Sequence, residues 1–145
     1  MNRYAACLLV TLTALTTACQ TVPTNVAEGV PLEGTHWRLT HLGERPVAEL
    51  SLPREAHIFL LAGDRRVTGS GGCNRLIGDY RLSGRQLNFG ALISTRMACT
   101  TGMAGELAVF AALERSQGYV LAGSRLDLTD AEGRRLARFE AGTQP

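Results

Sequence analysis

The run Ala56-His57-Ile58-Phe59-Leu60-Leu61-Ala62-Gly63-Asp64-Arg65-Arg66-Val67-Thr68-Gly69-Ser70-Gly71-Gly72-Cys73 reads as two short strands and a break. Ala56 to Ala62 is strongly apolar, of strand length, and bounded by turn residues. Gly63-Asp64 turns it into Arg65 to Ser70, and Gly71-Gly72 ends that second run and leads into Cys73. Leu76 to Leu82, then Ser83-Gly84, then Gln86 to Phe89 follow as a tight hairpin. Connections this short leave no room for a parallel crossover, so neighbouring strands run antiparallel.

The pattern continues on both sides. Thr35 to Leu42 alternates, with Trp37 and Leu39 on one face and His36, Arg38 and Thr40 on the other. Gly43 to Arg54 holds two prolines and scattered charge, which predicts a loop or a short helical turn. One helix is predicted, Gly102 to Ser116, with Met103, Leu107, Phe110 and Leu113 on one stripe. Thr100 or Thr101 is placed to cap its start and Gly118 to end it in a left-handed conformation. Tyr119 to Ala122, Arg125 to Thr129 and Arg134 to Glu140 form a closing meander, turned at Gly123-Ser124 and Ala131-Glu132-Gly133. The expected class is α+β: a mostly antiparallel sheet or open barrel of about eight short strands packed on one main helix. A fully closed barrel is the alternative.

The N-terminus reads as an export leader. Asn2 and Arg3 precede an apolar run from Tyr4 to Leu15, broken only by Thr11 and Thr13. About twelve such residues fall short of the roughly twenty that span a ~30 Å hydrocarbon core, so a removable signal peptide is expected. Leu15-Thr16-Thr17-Ala18-Cys19 resembles the box at which a bacterial lipoprotein is cut before a cysteine that then carries lipid. Thr16 stands where that box usually has an aliphatic residue. Residues 1–18 are therefore read as leader and Cys19 as the lipidation site. Residues 19–31 are read as a polar, proline-broken tether, 32–141 as the domain and 142–145 as a tail. The alternative is an ordinary secretory signal that leaves Cys19 as a free thiol. Gln20 is not the aspartate that retains lipoproteins in the inner membrane of enteric bacteria, which points to the outer membrane.

Composition bounds the rest. There are 15 basic and 13 acidic side chains, a net charge of +2, so nothing argues for a nucleic-acid partner. Every basic side chain is arginine. Cys7 leaves with the leader and Cys19 is assigned to lipid, so Cys73 and Cys99 remain as the pair inside the domain. In an oxidising compartment they are expected to be bonded. A bond closing that loop stabilises by roughly 3.5 kcal/mol on the chain-entropy account. The rival reading, a catalytic or redox thiol, lacks Cys-x-x-Cys spacing.

Several segments together resemble the META/HslJ-like domain family. These are Trp37-x-Leu39, Gly69-x-x-Gly72-Cys73-Asn74-Arg75 with Gly78-x-Tyr80, Ser94-Thr95-Arg96-Met97-Ala98-Cys99, Glu106 before Phe110 and Leu113, and Leu126-x-Leu128. The resemblance spans roughly Leu32 to Phe139. It implies a small envelope domain, in bacteria often a lipoprotein, linked with stress, motility or secretion. It implies no catalytic reaction.

Candidate chemistry is sparse. Gly69-Ser70-Gly71-Gly72 either cradles an anion on backbone N–H groups or uses its glycines for positive φ and close approach. His36, His41 and His57 show no His-x-x-x-His spacing, and no further cysteine completes a zinc set, so no metal site and no cofactor are expected. No Ser-x-x-Lys or Gly-x-Ser-x-Gly motif occurs, and no catalytic residue is named. A Cys73–Cys99 bond would gather Asn74, Arg75 and Arg96 into a candidate binding surface for an anionic or amide-bearing ligand. On the other reading Asn74 serves its own turn and Arg96 pairs with Asp79 or Glu106. The expected function is a non-enzymatic envelope lipoprotein, held to the membrane by Cys19 and facing the periplasm, that binds or stabilises an envelope protein partner. The alternatives are a soluble periplasmic location and a small-molecule or peptide pocket, as in a protease inhibitor or hydrolase.

Overall fold

The computed structural model describes residues 29–143. The leader, Cys19 and most of the tether lie outside those residues. The chain runs β1 (His36–Leu42), β2 (Arg45–Pro46), a 3₁₀ turn (Val47–Leu50), β3 (His57–Leu61), β4 (Arg66–Ser70), β5 (Arg75–Ser83), β6 (Gln86–Phe89) and β7 (Ile93–Ser94). The helix α1 (Met103–Arg115) follows, then β8 (Gly118–Ala122), β9 (Arg125–Thr129) and β10 (Arg135–Gly142). Eight strands pair antiparallel in the order β6-β5-β4-β3-β1-β10-β9-β8, while β2 and β7 are short additions to β1 and β5.

The two ends of that sheet approach each other. Leu87 N–H donates to Gln117 O at 3.3 Å and Tyr119 N–H to Arg85 O at 3.1 Å. The result is a nearly closed barrel, between the open sheet and the closed barrel that the sequence allows. The β1–β10 pairing is a contact that local sequence cannot reveal, because it joins the first and last strands of the domain. A bulge in β10 between Arg135 and Ala137 puts consecutive residues Leu136 and Ala137 both inside.

Side chains fill the interior. Trp37, Leu39, Ile58, Leu60, Val67, Leu87, Leu126, Leu128 and Phe139 are all buried at alternate strand positions. Burying one such side chain contributes about 1.5–3 kcal/mol. Trp37 Nε1–H donates to Leu32 O at 2.8 Å, which satisfies the polar atom at the centre of the core. Val30, at the end of the predicted tether, packs against this core. Tyr80 donates its hydroxyl to Glu33 and also contacts Leu61 O at 3.2 Å. Burial and then the Glu33 carboxylate push that phenol up to about 12. On the outer face Arg138 grips Asp127 with two bonds, 2.7 and 3.0 Å, across the β9–β10 pairing. Burial opposes ionisation of Asp127, but the Arg138 hydrogen bond and charge outweigh it and hold the carboxyl below its ordinary range.

The helix stands where the spacing predicts it, and of the predicted stripe Leu113 and Phe110 pack inward while its N-terminal half is turned away. Its buried residues are Gly105, Glu106, Val109, Ala112 and Leu113, while Met103 and Leu107 are exposed. The cause is close approach: a Cβ on Gly105 would lie 2.7 Å from Leu50 O. Packing small residues and one bonded carboxylate against the barrel outweighs the larger apolar stripe. The caps differ too. Gly102, at φ +80°, precedes the helix with no side-chain cap from either threonine. The helix ends at Ser116 in an extended conformation, and Gly118 already belongs to β8. Ser116 Oγ–H donates to Leu87 O at 3.0 Å, so the helix end is wired to β6.

Gly69 is set by the β3–β4 pairing. A Cβ there would sit 2.1 Å from His57 O, whereas one on Gly63 meets nothing within 4 Å. Gly69→Ala is therefore expected to destabilise by about 1–3 kcal/mol through backbone displacement. Gly63→Ala should change the urea midpoint little. Equal midpoints for the two variants would contradict this account.

Candidate functional site

Three chain segments converge on the N-terminal turn of α1. Cys73 and Cys99 are bonded, with Cα atoms 6.3 Å apart. Asn74 follows Cys73 and is buried. Its Oδ1 accepts from Met97 N–H at 2.7 Å and Thr95 Oγ1–H at 2.9 Å. Its Nδ2 donates to Glu106 Oε2 at 2.8 Å. Glu106 Oε1 accepts the backbone N–H groups of Cys73, at 3.1 Å, and of Asn74.

The glycine run donates nothing to this carboxylate: Gly71 N–H bonds Asn74 O and Gly72 N–H bonds Ser70 Oγ, and the donors are the two residues that follow the run. Gly71 and Gly72 bring the backbone N–H groups around to the Glu106 carboxylate. A Cβ on Gly71 would lie 2.8 Å from Glu106 Cγ, and Gly72 holds φ +108°. Glu106 also lies in the first helical turn, where the helix dipole favours negative charge. The glycines therefore serve positive φ and close approach, and the N–H groups that meet the anion are those of Cys73 and Asn74.

The predicted binding surface divides. Asn74 is a buried structural residue whose polar atoms are engaged within the fold. Arg75 and Arg96 are exposed. Arg96 forms no ion pair among the described residues, and the place predicted for it beside Glu106 is taken by backbone N–H groups and Asn74. Arg75 borders a cavity.

That cavity lies on the outer face of β3 and β4, a groove of about 580 Å³ lined by Arg54, Glu55, His57, Thr68, Ser70 and Arg75. A second groove, about 400 Å³, shares Thr68, Gly69 and Arg75 and continues along Ile77 and Ile93 toward Thr95. Ile93 is 68% exposed, so its side chain offers an apolar wall in the groove that Arg75 also lines. Gly69 keeps the junction of the two grooves free of a side chain.

At the head of the groove, pairing of β1 with β3 brings two histidines together. The His36 and His57 ring centroids are 4.5 Å apart, and His36 Nε2 lies 2.9 Å from Glu55 Oε1. Burial and then the neighbouring His36 push the His57 imidazole below its ordinary value, against the opposing influence of Glu55. Spacing along the chain could not find this group, because its members come from two strands joined by a long connection. Glu55 carried no sequence signal at all.

The sequence matches the META domain over residues 30–143. The chain belongs to the META domain family. Three solved structures share the fold. An NMR structure of a protein from Burkholderia xenovorans is 30% identical with a TM-score of 0.56, covering 78% of this chain and 85% of that one. Another NMR structure is 24% identical with a TM-score of 0.59, covering 76% and 91%. The crystal structure of a DUF4847 family protein from Bacteroides vulgatus is 17% identical with a TM-score of 0.57, covering 77% and 94%. No curated protein matches.

Removing the Glu106 carboxylate strands three buried donors. Glu106→Ala is expected to lower stability by about 3 kcal/mol or more. Glu106→Gln retains one acceptor oxygen but turns an NH₂ toward Asn74 Nδ2, so a loss of about 1–2 kcal/mol is expected. Urea unfolding with the disulfide intact measures both. An unchanged midpoint in the alanine variant would remove Glu106 from its central place.

Proposed function

We infer that this META-domain chain is a non-enzymatic envelope module, tethered by lipid on Cys19, that holds an extended segment of a partner protein in its outer groove. The observation that carries the reading is where the space lies. The barrel interior is occupied by Trp37, Leu60, Phe139 and their neighbours, and the grooves are on the outside. An interior ligand chamber of the usual kind for barrels has no room among these side chains.

The groove chemistry suits a polypeptide. Ile93, Ile77 and the uncovered backbone at Gly69 offer apolar contact and close approach. Arg54 and Arg75 offer donors for carboxylates and main-chain carbonyls. The hydrolase alternative draws less support. Ser70 Oγ accepts from Gly72 N–H at 3.1 Å, so it is held within its own turn rather than by a base. The proposed site is the outer membrane facing the periplasm, set by the reading of Cys19 and Gln20.

Two measurements test this reading. A photo-crosslinking residue at Ile93 is expected to capture an envelope protein in cells, and the same residue at Glu132, on the β9–β10 turn, is not. Equal yields at the two positions, or none above background at Ile93, would count against the groove. Mass spectrometry of the mature protein should find a diacylglyceryl group on an N-terminal Cys19, and Cys19→Ser should release the chain from membranes. An unmodified N-terminus after Ala18 would end the tether proposal.

A further inference from the structure

We propose that His36, Glu55 and His57 bind one divalent late transition-metal ion, Zn²⁺ being the commonest of the class, at the head of the outer groove. The three donor atoms lie within 4.8 Å of one another, with His36 Nε2 and Glu55 Oε1 at 2.9 Å. A tetrahedral Zn²⁺ bound at ~2.0–2.1 Å keeps its ligands about 3.3 Å apart, inside that range. His36 is buried on β1, which fixes its ring. Glu55 is exposed and His57 half-buried, so small side-chain rotations of those two close the remaining distance.

A second observation points to a ligand. His57 Nδ1 is the one buried side-chain polar atom among the described residues with no hydrogen-bond partner. Burying a ring nitrogen unpaired costs about 1–3 kcal/mol. A metal ion takes an unprotonated ring nitrogen, and no hydrogen bond of good geometry among the described residues occupies Nδ1. Arg38 Nε lies 4.0 Å from Glu55 Oε2. Glu55 Oε1 is held by His36 Nε2, a contact the ion would replace, while Oε2 faces the Arg38 charge beyond hydrogen-bond distance.

The donor set selects the ion. Two imidazoles and a carboxylate suit Zn²⁺, Cu²⁺ or Ni²⁺, whereas Ca²⁺ and Mg²⁺ prefer shells of oxygen. Three protein ligands leave a position open, and Glu55 and His57 also line the groove. That position would take water or a carboxylate or imidazole of whatever occupies the groove. The site stands on its own residues, so failure of the Ile93 crosslink would leave it intact.

The test uses the full chain purified in detergent without a polyhistidine tag, stripped with chelator and titrated with Zn²⁺ alone by calorimetry. One equivalent is expected to bind, with tetrahedral absorption when Co²⁺ replaces Zn²⁺. His57→Gln and Glu55→Gln should each weaken binding at least about tenfold, with a melting transition that shows the variant folded. His36→Gln is a further probe. His41→Gln, on β1 outside the cluster, should bind as the unaltered chain does. No binding to the unaltered chain up to about 1 mM Zn²⁺, undiminished binding in His57→Gln, or equal loss in His41→Gln would each overturn the proposal.

Discussion

The Glu106 carboxylate is the anion around which one end of the domain is organised. It is 2% exposed, and it receives two backbone N–H groups and the Asn74 amide. A buried carboxylate is tolerable only when donors replace the water it has lost. That requirement shapes its surroundings. Gly71 must lack a Cβ, Gly72 must take a positive φ, and Asn74 must present Nδ2 to the carboxylate and Oδ1 to Met97 and Thr95. The Cys73–Cys99 bond then closes the same loop covalently. Helix, glycine run and disulfide segment are held as one unit by a single charge.

This arrangement explains why motif residues yield so little external chemistry. The conspicuous polar group at Asn74 faces inward and satisfies the fold. The exposed groove lies a strand away, over β3 and β4, where the side chains are unremarkable in sequence. Thr68, Ser70, Glu55 and His57 become a constellation only through β3–β4 pairing. A filled barrel also moves any binding from the interior to this outer face, where the base of the groove is backbone rather than side chain.

Much of the architecture is legible without coordinates. The runs at Ala56–Ala62, Arg65–Ser70, Leu76–Leu82 and Arg125–Thr129 are strands because short alternating or apolar segments bounded by glycine turns have few other options. The α1 region is equally clear in extent. Its inward face is legible only in the second half, at Phe110 and Leu113, because Met103 and Leu107 satisfy the same helical period yet are exposed. What turns the helix is contact with Leu50 and Leu52, from a segment about fifty residues earlier in the chain. The caps were misplaced for a related reason: close packing of Gly102 on Ser51 and Pro53 leaves no need for a threonine cap.

The amino-acid sequence alone determined the strand-rich class, the single helix, the pairing of Cys73 with Cys99 and the family resemblance. The cysteine pairing rests on setting Cys7 and Cys19 aside in an exported chain, and the other three on local periodicity, turn chemistry or motif order. Tertiary structure decided that β1 and β10 join to bring the sheet almost into a barrel, that Glu106 is the anion bound by Cys73 and Asn74, and that His36 meets His57 beside Glu55. These are contacts between residues far apart along the chain. Their energies depend on strand register and side-chain direction, and neither is specified until the whole sheet has assembled.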